Sequence, residues 1–216
     1  VEHAGEQHQA VAAEAFAPRE VELPAGRAIE AGRFRVIDRV GMDNIPPPEW
    51  ILDDAVILDG YGILFAPFSS YKSFIALDMA LAVATGAACM SPTNAWSGRS
   101  AYPGPVLFIA GEGRAGITKR VRAWEITHLA GERVENIYLA DPVPLIAEDP
   151  QPFIEAALKA SPDGYRLVVL DTISRAMQGM DENSQKDASA FTKLAERLRR
   201  DLGCTVLAVH HTGHTH

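Results

Sequence analysis

The sequence predicts an α/β fold, a parallel sheet core with helices packed on both faces. Three observations predict it. Short apolar runs alternate with helix-period segments at regular spacing, the arrangement that gives right-handed βαβ crossovers. Two runs, PVLFIA (105–110) and YRLVVL (165–170), are apolar almost throughout, as strands covered on both faces are. Three runs close on polar residues: Gly111-Glu112-Gly113, Asp171-Thr172 and His210-His211. In an open parallel sheet such strand ends gather at one edge, where ligands bind.

The 216 residues, 47% hydrophobic and 22% charged, suffice for one sizeable core. A formal net charge of -8 excludes a global basic field of the kind that attracts nucleic acid, and leaves open a local basic surface. Two cysteines, Cys89 and Cys204, are too few for a disulfide framework. Cys204 begins an apolar run and is expected to be a buried free thiol. No apolar stretch is long enough to span a membrane, because Lys72 and Asp78 interrupt the best candidate. With no signal pattern at the start, the expectation is a soluble cytoplasmic protein.

Residues 1–33 are rich in Ala, Glu, Gln and His, and predict a tail or partly disordered extension; residues 34–216 carry the core. FRVID (34–38) predicts a short strand. IPPPEW (45–50) predicts an extended connector, since three prolines exclude helix and sheet interior, with Trp50 and Ile51 docking it. Residues 61–65 predict an apolar strand, 66–71 a tight loop, and Lys72 opens a helix. That helix has an expected apolar face through Phe74, Leu77, Ala80, Leu81 and Ala84. Residues 86–104 read as a loop. After the strand at 105–110 comes a basic amphipathic helix over 115–130, with Lys119, Arg120 and Arg122, closed by Gly131. NIYLA (136–140) predicts a strand, 151–160 a helix with Pro just inside its start, and 165–170 a strand. Residues 175–187 read as a polar loop, 188–201 as a helix capped by Gly203, and 205–209 as the last strand.

A strand, a tight loop and Lys-Ser at a helix start form the layout of a phosphate-binding loop. Free N–H groups at the helix N-terminus and the helix dipole attract anions. In that layout the loop Ala66-Pro67-Phe68-Ser69-Ser70-Tyr71 and the first helical residues Lys72, Ser73 and Phe74 surround ATP. Lys72 reaches the outer phosphates and the Ser73 hydroxyl ligates Mg²⁺. The pattern G-x-x-x-x-G-K-[ST] is only partly met, because Ala66 and Tyr71 stand where glycine is favoured. Taken alone, SSYKS equally fits an ordinary strand–turn–helix.

The strand ends add chemistry. Asp171 after LVVL fits an aspartate that holds magnesium, or a turn residue after a strand. Glu112 fits a base for water attacking the γ-phosphate, or an exposed turn residue. His210 and His211 fit a γ-phosphate contact, or one packed and one exposed histidine. With His214 and His216 they suggest a metal cluster, but no Cys or carboxylate lies nearby to complete a closed site.

The ordered set resembles RepA-like ATPases within the RecA/DnaB group of ring-forming replicative helicases of phages and plasmids. The stretches that carry the likeness are PPPEWILDD, SYKSFIALDMALAVATG, FIAGEGRAGITKRVRAWE, LVVLDTISRAM with GMDENSQKDASAF, and GCTVLAVHHTGH, covering about 34–213. The resemblance implies a RecA-like P-loop NTPase fold with ATP and Mg²⁺ as cofactors. Lys72 and Ser73 are then the P-loop pair, Glu112 the catalytic base, Asp171 the magnesium aspartate, and His211 or His210 the phosphate sensor. It further implies a homo-oligomeric, hexameric ring acting on single-stranded DNA, with residues 175–186 matching a channel-facing loop. The family continues past the His-His strand into strands that carry an arginine finger, so this core is expected to lack them. Its P-loop also departs from the family's, with Ala66, Ser69 and Tyr71 in the glycine positions. A non-catalytic nucleotide-binding or assembly module and a small-molecule kinase are the rival readings, and no arginine-bearing lid supports the latter.

Overall fold

Five strands pair in parallel in the computed structural model, which describes residues 28–31, 34–87, 99–111, 114–142, 146, 148–178 and 185–211, with backbone alone for 28–31, 34, 114–115 and 185–188. The chain divides into two units, Val1–Pro47 and Pro48–His216. In the first, β1 (Ala28–Ala31) and β2 (Phe34–Ile37) form an antiparallel pair, followed by α1 (Arg39–Asp43). The expected strand 34–38 ends one residue early because Asp38 caps α1, its carboxylate accepting the Gly41 N–H at 2.7 Å.

The second unit opens with the antiparallel pair β3 (Trp50–Leu52) and β4 (Val56–Ile57), where Ile51 is fully buried after the proline connector. The main sheet then follows in the order β5 (Tyr61–Ala66), β9 (Thr205–His211), β8 (Leu167–Asp171), β6 (Val106–Ala110), β7 (Ile137–Ala140). All four pairings are parallel, so every strand ends at the same edge.

The strand period of two splits the core. Val106, Phe108, Ala110, Leu167, Val169, Leu207 and Val209 face α2 (Lys72–Thr85) and α3 (Arg114–His128). Leu107, Ile109, Val168, Leu170, Val206 and Ala208 face α4 (Gln151–Ala160), α5 (Ile173–Ala176) and α6 (Gln185–Leu202). Helices therefore cover both faces, as the sequence predicts. Phe108, Ile109, Leu167 and Leu170 are essentially sealed from solvent. Burial stabilises each by roughly 1.5–3 kcal/mol.

Several expectations need correction. The apolar strand expected at 61–65 is present and runs one residue further, to Ala66. β5 ends the described sheet order, and Tyr61, Ile63 and Phe65 are exposed on one of its faces. The predicted apolar face of α2 wrongly includes Phe74, which is 48% exposed. Burial instead runs all round the helix from Ala76 to Ala84, Asp78 excepted, because α2 packs against the sheet, α3 and β3 together. Small residues at 76, 80, 82 and 84 allow that close approach. Part of the predicted loop 175–187 is helical: α5 begins at Ile173, and α6 begins at Gln185, three residues before its expected start. α3 stops at His128, and Gly131, with φ of 91°, sends its N–H back to the Glu125 carbonyl at 3.0 Å. β9 extends to His211, pairing with β5 to its end.

Candidate functional site

β5 ends at Ala66, and the loop through Pro67, Phe68, Ser69, Ser70 and Tyr71 leads into Lys72, the first residue of α2. The turn is built with left-handed backbone at Ser69 (φ 59°) and Tyr71 (φ 60°). Glycine is favoured at such positions for its freedom, and here side-chain-bearing residues adopt them. Ser70 Oγ donates to the Pro67 carbonyl at 2.7 Å and tightens the loop from within.

Lys72 is 4% exposed, although its ammonium carries charge. Nζ donates to the Ala66 carbonyl at 2.7 Å, the Pro67 carbonyl at 2.6 Å and Ser70 Oγ at 3.3 Å. The three donors of an ammonium are thereby satisfied by the loop itself. Burial pushes the Lys72 pKa below its ordinary value, and the negative charge of Asp171 works against that shift. The aspartate ending β8 thus acts electrostatically on the lysine that opens α2.

The sheet order explains how two strands that are not neighbours converge here. β9 lies between β5 and β8, with Ala66 paired to His211 and Val209 paired to Asp171. Asp171 is 9% exposed, and its carbonyl accepts the Gly111 N–H at 2.6 Å, tying the end of β6 to the end of β8. A Cβ at Gly111 would lie 2.7 Å from Arg175 Cγ, so only glycine fits beneath that side chain.

Both histidines end β9 half-buried. His211 stacks on the Phe68 ring, centroids 4.1 Å apart and planes 11° apart. His210 Nδ1 is buried with no hydrogen-bond partner among the described residues. Ser73 lies half-buried in the first turn of α2 beside Lys72. A cleft of about 420 Å³ is bounded by residues 69–74, His211 and Arg120. A larger apolar cleft, about 780 Å³, lies beside β7 and α4 and contains none of the sequence-predicted residues.

The structure thus brings together residues 66–74, Asp171, His210 and His211. Glu112, His214 and His216 lie outside the described residues, as do Met180 and Asp181 of the predicted channel loop. Among the described residues no cluster of three His, Cys, Asp or Glu could hold a metal ion. No helix of the described residues is long and apolar enough to cross a membrane.

Arg120 is the cleft residue that sequence reasoning missed. It lies on the basic helix with Lys119 and Arg122, but its surroundings differ from those of Arg122. Arg122 pairs with Glu125 at 3.1 Å and donates to the Gly131 carbonyl at 2.7 Å, while Arg120 turns to the loop.

The sequence matches the family described as AAA domain over residues 27–216. It is also similar to the Zinc import ATP-binding protein ZnuC of Chromohalobacter salexigens, 33% identical over 101 residues. That stretch is 47% of this chain and only 32% of the relative's length.

Proposed function

The chain belongs to the AAA domain family of P-loop ATPases, and from that premise we propose that it hydrolyses ATP to do work on DNA, as a RepA-like replicative helicase acting as a hexameric ring. The observation that carries the ATPase reading is the meeting of the Lys72 loop and Asp171 at one sheet edge. A relative named as ATP-binding supports the nucleotide. The motif order of the sequence supports the helicase class, and the phage or plasmid setting follows from that likeness.

The residues fit a nucleotide with magnesium. Magnesium takes few protein oxygens and shares the phosphates, so the Ser73 hydroxyl and the Asp171 carboxylate are an adequate donor set. When bound, the ion would neutralise charge on the outer phosphates. Lys72 exchanges its loop carbonyls for phosphate oxygens, a trade of one set of hydrogen bonds for a charge-assisted set. The N–H groups opening α2 bind the remaining phosphate oxygens. Glu112 accepts the proton of the attacking water, and His210 or His211 contacts the terminal phosphate.

Lys72→Ala is expected to abolish ATP turnover, and wild-type-like turnover in that variant ends the mechanism. Stimulation of turnover by single-stranded DNA, measured with the particle mass in nucleotide, tests the motor and the ring. A second reading, a nucleotide-binding or assembly module with little hydrolysis, is favoured by the self-satisfied lysine and the left-handed Ser69 and Tyr71. Calorimetric titration with ATP and magnesium separates the two: heat with turnover supports the motor, and heat without turnover supports the module.

A further inference from the structure

We propose that Arg120 is a phosphate-contacting residue supplied by the chain to its own site, held in the cleft by the Phe74 ring for the terminal phosphate of a nucleoside triphosphate. The proposal rests on the nucleotide reading of the Lys72 loop and adds to it a second cation from a different helix.

Four observations carry it. Arg120 bounds the same cleft as Lys72 and Ser73 although it lies on α3. Its guanidinium carbon sits 4.2 Å from the Phe74 ring centroid, and Phe74 belongs to the first turn of α2. That ring is 48% exposed, so it is a ledge in the cleft and not part of the core. Finally, Arg120 forms no ion pair with a carboxylate among the described residues, whereas Arg122, Arg197 and Arg199 are all paired.

Direction agrees with position. Helical side chains lean toward the N-terminus of their helix. The Arg120 guanidinium lies back over Gly116, 3.7–3.9 Å from where a Cβ there would sit. α3 follows β6, so its N-terminal end lies toward the carboxyl edge of the sheet, the edge where Lys72 stands. A cation resting on a ring face keeps its N–H groups at the guanidinium rim available. The planar fork of those groups matches two phosphate oxygens at once. Phosphoryl transfer is accelerated chiefly by such positioned charge.

The test uses the whole chain. Turnover of ATP with magnesium, and binding of ADP and of a non-hydrolysable ATP analogue, are measured for wild type, Arg120→Gln, Arg120→Lys, Phe74→Leu and Lys72→Ala. Arg120→Gln is expected to lower kcat about 100-fold, the scale for one transition-state donor. It should weaken the ATP analogue roughly tenfold, one charge-assisted contact, while ADP affinity stays near wild type. Arg120→Lys should restore part of the loss, since charge returns without the fork. Phe74→Leu, which keeps the arginine but removes its ledge, should fall between. The proposal is overturned if Arg120→Gln turns over ATP like wild type while Lys72→Ala does not. It is equally overturned if ADP and the ATP analogue weaken together with a lowered thermal midpoint, the sign of a packing role. If wild type binds neither nucleotide, the nucleotide reading itself fails and takes this proposal with it.

Discussion

Phe68, at the tip of the loop, lies flat against His211, the last residue of β9, with ring centroids 4.1 Å apart. Phe68 is 64% exposed, so the stack is not a by-product of core packing. It ties the loop to the strand that separates β5 from β8. Aromatic pairs of this kind add about 0.5–1.5 kcal/mol beyond the area they bury. Phe68→Leu is therefore expected to speed amide exchange in residues 68–72 about fivefold, with exchange elsewhere unchanged. Hydrogen-exchange mass spectrometry checks it.

Tyr71 holds a left-handed backbone at φ 60° with its ring 73% exposed. For an L-residue that conformation costs about 1–2 kcal/mol, and glycine avoids the cost while losing some chain entropy on folding. Tyr71→Gly should raise stability by about 0.5–1 kcal/mol, the balance of those two effects. Denaturant unfolding gives the sign directly, and a destabilised variant would show that the Tyr71–Phe74 edge contact at 5.9 Å matters more.

Glu125 is 6% exposed on α3. Burial alone would raise its pKa, but the Val134 N–H at 3.1 Å, Arg122 at 3.1 Å and the charge of Arg133 together hold it below the ordinary 4.5. A carboxyl with a depressed folded pKa adds stability above the unfolded pKa, and that stability is lost as pH falls through the folded value. Glu125→Gln should thus destabilise the protein near pH 7 by about 1 kcal/mol, allowing for the half-exposed Arg122. The difference from wild type should shrink to nothing well below pH 4.5. Paired urea titrations at several pH values measure it.

Gly164 turns the chain before β8 at φ 80°, and a Cβ there would meet the Leu202 carbonyl oxygen at 2.3 Å. The obstacle is backbone, pinned by the Tyr165 N–H to that same oxygen at 3.0 Å. Gly164→Ala should cost at least about 3 kcal/mol, from a left-handed conformation and a steric shift together. Thermal unfolding is the measurement. Gly203→Ala, at φ 63° with nothing within 4 Å of the added carbon, is the control and should cost markedly less.

The fold class was legible because β6 and β8 are covered on both faces and show it as unbroken apolar runs. The loop and the helix opening at Lys72 were legible for the same kind of reason, a change of period from strand to helix at that residue. Other features depend on distant partners. Phe74 fits a helical apolar stripe by spacing, yet it meets Arg120, 46 residues on, which rests on its ring. Arg120 itself looked like one more solvated charge, since nothing in its neighbourhood says that α3 packs beside α2. The insertion of β9 between β5 and β8 was equally hidden, because strand alternation fixes direction and not order. α5 was missed because four residues carry too little periodicity to register.

From Ala76 to Ala84, Asp78 excepted, α2 is buried on every side, and that has a consequence for how such a domain can diverge. An element packed on every side with alanines leaves no room for enlargement, so drift there erodes the whole body before it alters what the lysine holds. New ligand preferences must therefore arise among the exposed aromatics of the loop and first turn, Phe68, Tyr71 and Phe74, which no core packing holds.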